Sequence, residues 1–165
     1  MRYKVMKKSE LGYKPNAGAD LAKAKTEVYK YVDIVKSGTK KLEQDVKSIL
    51  SRSELDNDFS SNMYNHIHKL VSEIWRYLNL AVKNFDKGDI YRAWSWLESA
   101  RTIESIRMND AFNPAFYKDY SHKDANSKRV SKELIAAYRK LADQADRQYP
   151  LVVAQLKAWQ RANND

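Results

Sequence analysis

Residues that interrupt regular structure are scarce in this chain, which has only four Gly and three Pro among its 165 residues. A β-sandwich or β-barrel needs a turn about every ten residues, and most such turns use Gly or Pro. No stretch of useful length alternates between apolar and polar residues. The sequence therefore predicts an all-α protein with long helices.

The clearest helical pattern lies in the middle of the chain, where apolar residues recur at three- and four-residue spacing over residues 67–85 and again over residues 90–108. The two runs are separated by a short turn, Lys87-Gly88-Asp89, in which Asp89 is a suitable N-cap. So short a connection brings the helices side by side. We therefore expect an irregular helical bundle of five or six helices around this central antiparallel hairpin.

Gly38, Thr39 and Pro150 indicate where other helices end or begin. Gly38 is in the position of a C-terminal helix glycine, and Thr39 directly after it is suited to cap a second helix. Pro150 lacks a main-chain N–H and its ring crowds the preceding turn. We expect it to break or kink the last helix.

Positive charge is concentrated toward both ends. The formal net charge is +9 at pH 7; residues 1–51 contain 12 basic and 6 acidic residues, residues 52–110 contain 8 and 9, and residues 111–165 contain 10 and 6. An uneven distribution of charge along the chain is evidence about binding partners and not about the fold. We expect residues 1–18 to form a basic, mobile arm and residues 19–165 to form a single helical domain.

Two sets of basic residues are candidates for binding nucleic acid or another anion. One set lies within about 120° of arc on a predicted late helix, and the other lies in the basic arm. They are Lys128, Arg129, Lys132, Arg139, Lys140 and Arg147, and Arg2, Lys4, Lys7 and Lys8. The alternative for the first set is an ordinary solvated helix face, because Glu133, Asp143 and Asp146 lie among its cations.

A third group of residues is a candidate for a cleft or a partner surface: Trp75, Trp96, Arg101, Glu104, Ile103 and Ile106. Arg101 and Glu104 are three residues apart on one helix, so we expect them to pair, either beside a ligand or as a structural ion pair. Trp96, Ile103 and Ile106 form an apolar strip. Either another helix of the chain or a partner covers it.

Catalytic and metal-binding motifs are incomplete. The chain has no Cys, which excludes thiolate metal sites and cysteine nucleophiles. His66 and His68 are two residues apart, whereas two metal ligands on one helix need three- or four-residue spacing. We therefore predict that the protein is not an enzyme, with no catalytic residue, no metal site and no cofactor.

Several short stretches in the second half of the chain carry a resemblance to a known family. They are Glu73-Ile74-Trp75, Lys87-Gly88-Asp89, Trp96-Leu97-Glu98 with Arg101, Ala137-Tyr138-Arg139-Lys140-Leu141-Ala142 and Tyr149-Pro150. Residues 73–161 resemble the helical C-terminal domain of aminoglycoside and lincosamide nucleotidyltransferases. In that family, the resemblance implies, a preceding α/β domain holds a Gly-Ser motif and metal-binding acidic residues. Residues 1–55 contain no Gly-Ser, so the resemblance implies a helical subunit without the catalytic domain.

The leading functional hypothesis is a non-catalytic accessory protein, of bacterial or phage type, whose basic terminal segments engage nucleic acid or an acidic partner protein. One alternative is the substrate-binding helical subunit of a split nucleotidyltransferase with a separate catalytic chain. Another is a structural or inhibitory protein that acts through its apolar helix face, for example as a homo-oligomer. No apolar run reaches the roughly 18 residues that cross a bilayer, and no signal peptide is recognisable. A cytoplasmic location without a membrane partner is therefore expected.

Overall fold

The computed structural model describes residues 17–52 and 57–164, and every element in these two stretches is helical. Helix α1 spans Ala17–Arg52, α2 spans Asn57–Asp86 and α3 spans Ile90–Thr102. A π-helical turn at Ile103–Arg107 leads into α4, Met108–Phe112. A 3-10 turn at Pro114–Tyr117 and the short helix α5, Lys118–Ser121, precede α6, Ala125–Asn163. The prediction of an all-α helical bundle is confirmed.

The described residues form two compact units. The first consists of residues 17–33 and 145–164, and the second of residues 34–52 and 57–144. In the first unit, the ring of Tyr31 meets that of Tyr149 edge to face, with centroids 5.0 Å apart. The Gln148 amide donates a hydrogen bond to the main-chain oxygen of Glu27 at 3.0 Å. Aromatic and polar contacts therefore hold the end of α6 against the beginning of α1.

Pro150 lies inside α6, so a break of the last helix at this residue is wrong. A proline in a helix interior costs about 3 kcal/mol, because it removes one main-chain hydrogen bond and crowds the preceding turn. Ala145 before it and Val152 and Leu156 after it are all buried in the first unit. The burial of these side chains offsets the local cost and keeps the helix continuous.

Gly38 and Thr39 also lie inside a helix, so the prediction that one ends a helix and the other begins the next is wrong. A Cβ at position 38 would lie 2.6 Å from Cδ1 of Leu141, and glycine therefore permits a close helix contact. The Thr39 hydroxyl donates to the Val35 carbonyl at 2.6 Å and accepts from the Trp75 indole N–H at 2.7 Å. Both residues serve tertiary contacts.

The predicted antiparallel hairpin is present and supplies the core of the second unit. Its buried residues include Ile67, Leu70, Ile74, Leu78, Ala81 and Phe85 from α2, and Ile90, Ala93, Leu97 and Ala100 from α3. Gly88 in the connecting turn has a φ of 86°, in the left-handed region that favours glycine. The Asp89 side chain accepts a hydrogen bond from the Arg92 N–H at 3.2 Å and caps α3 as predicted.

The π-helical turn changes which residues of the second hairpin arm face the core. A π turn inserts one extra residue into the helical repeat. Ile103 and Glu104 at its start are both buried, whereas Ile106 is 56% exposed. Trp96 is half-buried and stacks on Tyr77 with centroids 5.4 Å apart. The chain itself therefore covers Ile103 and part of Trp96 and leaves Ile106 exposed.

Replacement of Gly88 with Ala tests the hairpin turn. A side chain in the left-handed region costs about 1 kcal/mol, so the free energy of unfolding should fall by that amount. Gly18→Ala is the control, because a Cβ there would meet no atom within 4 Å. Urea unfolding followed by circular dichroism gives both values, and equal stability of the two variants would contradict the assigned turn.

Candidate functional site

The structure describes six of the ten predicted anion-binding residues, and all six are exposed on α6. Arg2, Lys4, Lys7 and Lys8 lie outside the described residues. Arg147 belongs to the first unit, and the other five belong to the second. A site within one unit can therefore draw on Lys128, Arg129, Lys132, Arg139 and Lys140.

Two adjoining cavities of the second unit bring three of these cations together. One, of about 300 Å³, is lined by Pro114, Ser121, His122, Lys128, Ser131, Lys132 and Ile135. The other, of about 250 Å³, is lined by Asn109, Phe112, Asn113, Pro114, Ile135, Tyr138 and Arg139. Because Pro114 and Ile135 line both cavities, the two form one groove between α6 and the segment 109–122. We call it the α6 groove.

The cations of the α6 groove lie on one side of the helix. Lys128, Lys132 and Arg139 are four and seven residues apart, so they share a face and span about 16 Å along the helix axis. Among the described lining residues there is no Asp or Glu. Arg129 lines neither cavity, and its Nη1 lies 3.1 Å from Oε2 of Glu133. The groove therefore presents three cations on a carboxylate-free surface.

Local hydrogen bonds shape the wall that faces α6. The Asn113 side chain accepts from the Ala115 N–H at 3.0 Å, and Pro114 occupies the first position of the 3-10 turn, where its missing N–H costs nothing. The Ser121 hydroxyl donates to the Pro114 carbonyl at 3.1 Å. These bonds fold the segment back on itself and present Pro114 to the groove.

The groove side of α6 is anchored at its first turn and again at Tyr138. The Asp124 carboxylate accepts from the Ser127 N–H at 2.8 Å, and this main-chain hydrogen bond is the main reason that the pKa of Asp124 is lowered. The Tyr138 hydroxyl donates to the Glu104 carbonyl at 2.9 Å, and its ring stacks on Phe112 with centroids 5.1 Å apart. The lysines and the arginine of the groove are thus carried on a fixed helix.

Arg101 and Glu104 form the ion pair that their spacing predicts. Arg101 Nη1 lies 2.7 Å from Glu104 Oε1, and the side chains are 20% and 0% exposed. A carboxylate removed from water needs a charged or hydrogen-bonding partner. Neither residue lines the α6 groove, and the buried geometry favours a structural role for the pair.

Trp75 lines a different groove, of about 750 Å³, between α1 and α2. Its lining includes the cations Lys40, Arg76 and Lys83 as well as the acidic residue Glu43. The Lys36 ammonium donates to Asn79 and lies 5.2 Å from the centre of the Trp75 ring. His68 Nδ1 lies 2.6 Å from Oε1 of Glu43, so this groove contains a carboxylate. The α6 groove differs from it in that no acidic side chain is among its lining residues.

A third cavity has a volume of about 520 Å³ and was not predicted from the sequence. Its lining residues are Phe59, Asn62, Met63, His66, Arg107, Asp110, Ala111, Phe116 and Tyr117. We call it the aromatic cavity. The rings of Phe59 and Tyr117 have centroids 5.4 Å apart, and Phe116 is 69% exposed. Burial is the main reason that the pKa of Tyr117 is raised above its usual 10.0. In the sequence, only the three- and four-residue spacing of Phe59, Asn62 and His66 indicates that these side chains share a face of α2.

Within residues 17–52 and 57–164, no group of three His, Asp or Glu side chains is placed to hold a metal ion. No helix in the same stretches is long and apolar enough to span a membrane. Comparison with protein-family models, with curated proteins and with solved structures found no match to this chain.

Replacement of Arg101 with Met tests whether the buried ion pair is structural. It removes the guanidinium from a fully buried carboxylate, so the free energy of unfolding should fall by about 3 kcal/mol. Arg92→Met is the control, because Arg92 also pairs with an acidic residue three positions away but is 69% exposed. That change should cost less than about 1 kcal/mol.

A second variant separates charge pairing from packing. Arg101→Met combined with Glu104→Leu removes both charges and should recover part of the loss, since no carboxylate then stays buried. Urea unfolding of the three variants provides the comparison. An Arg101→Met protein as stable as the Arg92→Met protein would contradict a structural role for the pair.

Proposed function

We propose that the protein binds nucleic acid through its phosphate backbone and that the α6 groove is the contact surface. The observation that carries this proposal is the carboxylate-free groove, in which Lys128, Lys132 and Arg139 follow one another along one face of α6. Cations that neutralise phosphates release condensed counterions, and this release supplies most of the affinity of sequence-independent binding. A row of cations is suited to a ligand whose charges also form a row.

Neutral side chains in the same groove can add hydrogen bonds to a phosphate backbone. Asn109, Asn113 and Ser131 line the groove together with the three cations. Asparagine and serine side chains commonly contact phosphate oxygens and sugars, where they fix the position of a strand without reading its sequence. The groove thus combines charge with hydrogen-bond donors.

The charge of the whole chain supports the same proposal. A net charge of +9 attracts polyanions over a distance of about one Debye length, which raises the rate of encounter. Residues 111–165, which include most of the α6 groove, contain 10 of the 30 basic residues and 6 of the 21 acidic residues. The net charge of the chain and the cations of the α6 groove therefore both favour binding of a polyanion.

Binding of a fluorescently labelled oligonucleotide, measured by anisotropy at several salt concentrations, tests the proposal. Three phosphate contacts predict that the logarithm of the association constant falls by about 2 to 3 for a tenfold rise in salt. The triple variant Lys128→Gln, Lys132→Gln, Arg139→Gln should bind at least about tenfold more weakly at low salt, with a flatter salt dependence.

The matched control has the same net charge but an intact groove. Lys23→Gln, Lys47→Gln, Lys157→Gln neutralises three exposed lysines that do not line the α6 groove. It should retain most of the affinity and a steep salt dependence. Equal loss in the two triple variants would show that only overall charge matters, and no binding by the unmodified protein at low salt would refute the proposal.

A further inference from the structure

We propose that the aromatic cavity receives an unpaired base of the nucleic acid whose phosphates lie in the α6 groove, so that the preferred ligand is single-stranded. This inference rests on the proposed function and adds that the bound nucleic acid is single-stranded. It concerns a cavity that none of the predicted candidate residues lines.

The groove and the cavity share one short segment of chain. Pro114 lines both halves of the α6 groove, and Phe116 and Tyr117, two and three residues further on, line the aromatic cavity. All three belong to the 3-10 turn, in which the rise is about 2 Å per residue. One short turn therefore contributes a wall to the groove and a wall to the cavity, and a strand in the groove lies next to the segment that lines the cavity.

The walls of the cavity suit a flat aromatic ring. Phe59, Phe116 and Tyr117 line it. One face of the Phe59 ring is already stacked on Tyr120, with centroids 3.7 Å apart, whereas Phe116 is largely exposed and offers an open ring face. Bases stack on such side chains without sequence preference, because every base has a π-face. A volume of about 520 Å³ lies in the range of small-ligand sites and is large enough for one base with its sugar.

Polar side chains in the cavity add contacts that a hydrocarbon ligand would leave unused. Asn62 and Asp110 can hydrogen-bond to the edge of a base, and Arg107 can contact its phosphate. Arg107 is half-exposed, and its Nη1 lies 3.6 Å from Oε2 of Glu73, which holds the side chain loosely. The cavity therefore offers stacking, edge recognition and one more cation.

A base can reach the cavity only if it is not paired and stacked in a duplex. Extraction of a base from a duplex requires that its pairing and stacking be broken. A single strand avoids most of this cost. The inference therefore predicts a preference for single strands over the duplex of the same sequence.

Anisotropy titration with three ligands of equal length tests the inference: a labelled thymidine oligonucleotide, its duplex with the complementary strand, and an abasic oligomer that keeps the phosphates and sugars. The single strand should bind about tenfold more tightly than the abasic oligomer, in line with the loss of one stacked base. It should also bind more tightly than the duplex.

Two variants assign that difference to the cavity. Phe116→Ala should lower affinity for the thymidine oligonucleotide about tenfold and leave the abasic oligomer unaffected, since only stacking is lost. Tyr91→Ala is the control, because Tyr91 is 49% exposed and does not line the cavity. Phe116→Trp, which preserves a stacking face, should retain the affinity, and far-UV circular dichroism checks that each variant is folded.

The outcomes separate this inference from the proposed function. If all three ligands bind equally and Phe116→Ala changes none of the affinities, the inference is wrong while binding through the α6 groove stands. If no ligand binds at low salt, the proposed function fails and the inference fails with it. Tight binding of free thymidine with no preference among the three oligomers would assign the cavity to a small molecule and would also overturn the inference.

Discussion

Glu104 connects the central hairpin to the helix that carries the α6 groove, through a main-chain contact to α6 and a side-chain ion pair within its own helical arm. The Glu104 side chain lies 2.7 Å from the Arg101 guanidinium, and its main-chain oxygen accepts from the Tyr138 hydroxyl of α6 at 2.9 Å. Glu104 lies in the π-helical turn, whose extra residue shifts the helical repeat of the residues that follow: Met108 and Phe112 are buried, and Arg107 lines the aromatic cavity. If residues 103–107 formed a regular α-helix, different side chains would face the core and the aromatic cavity. The position of the groove relative to the cavity therefore depends on this turn.

The parts of the fold that local chemistry determines could be predicted from the sequence. The hairpin follows from the apolar repeat, from Gly88 with its positive φ and from Asp89 as a cap, all of which act within a few residues. The lengths of α1 and α6 could not be predicted in the same way. Gly38 and Pro150 are typical of helix ends, but in these helices distant contacts outweigh that preference. Leu141, which approaches Gly38, is about 100 residues away in the sequence.

The candidate site was predictable only in part, for a related reason. Helical periodicity places Lys128, Lys132 and Arg139 on one face, but it cannot show that the segment 109–122 builds the opposite wall. The aromatic cavity is assembled from α2, the π-helical turn and the 3-10 turn, which are far apart along the chain. No repeat or motif joins these segments, so only the tertiary structure brings the rings together.

Backbone amide NMR shifts, recorded as a single-stranded oligonucleotide is added, test most directly whether one strand occupies the groove and the cavity together. The largest changes should fall within residues 59–66, 107–117 and 121–139, and all of them should follow the same titration curve. Changes centred on residues 40–43 and 68–83, which line the groove between α1 and α2, would contradict the assignment. So would two sets of shifts that titrate with different affinities.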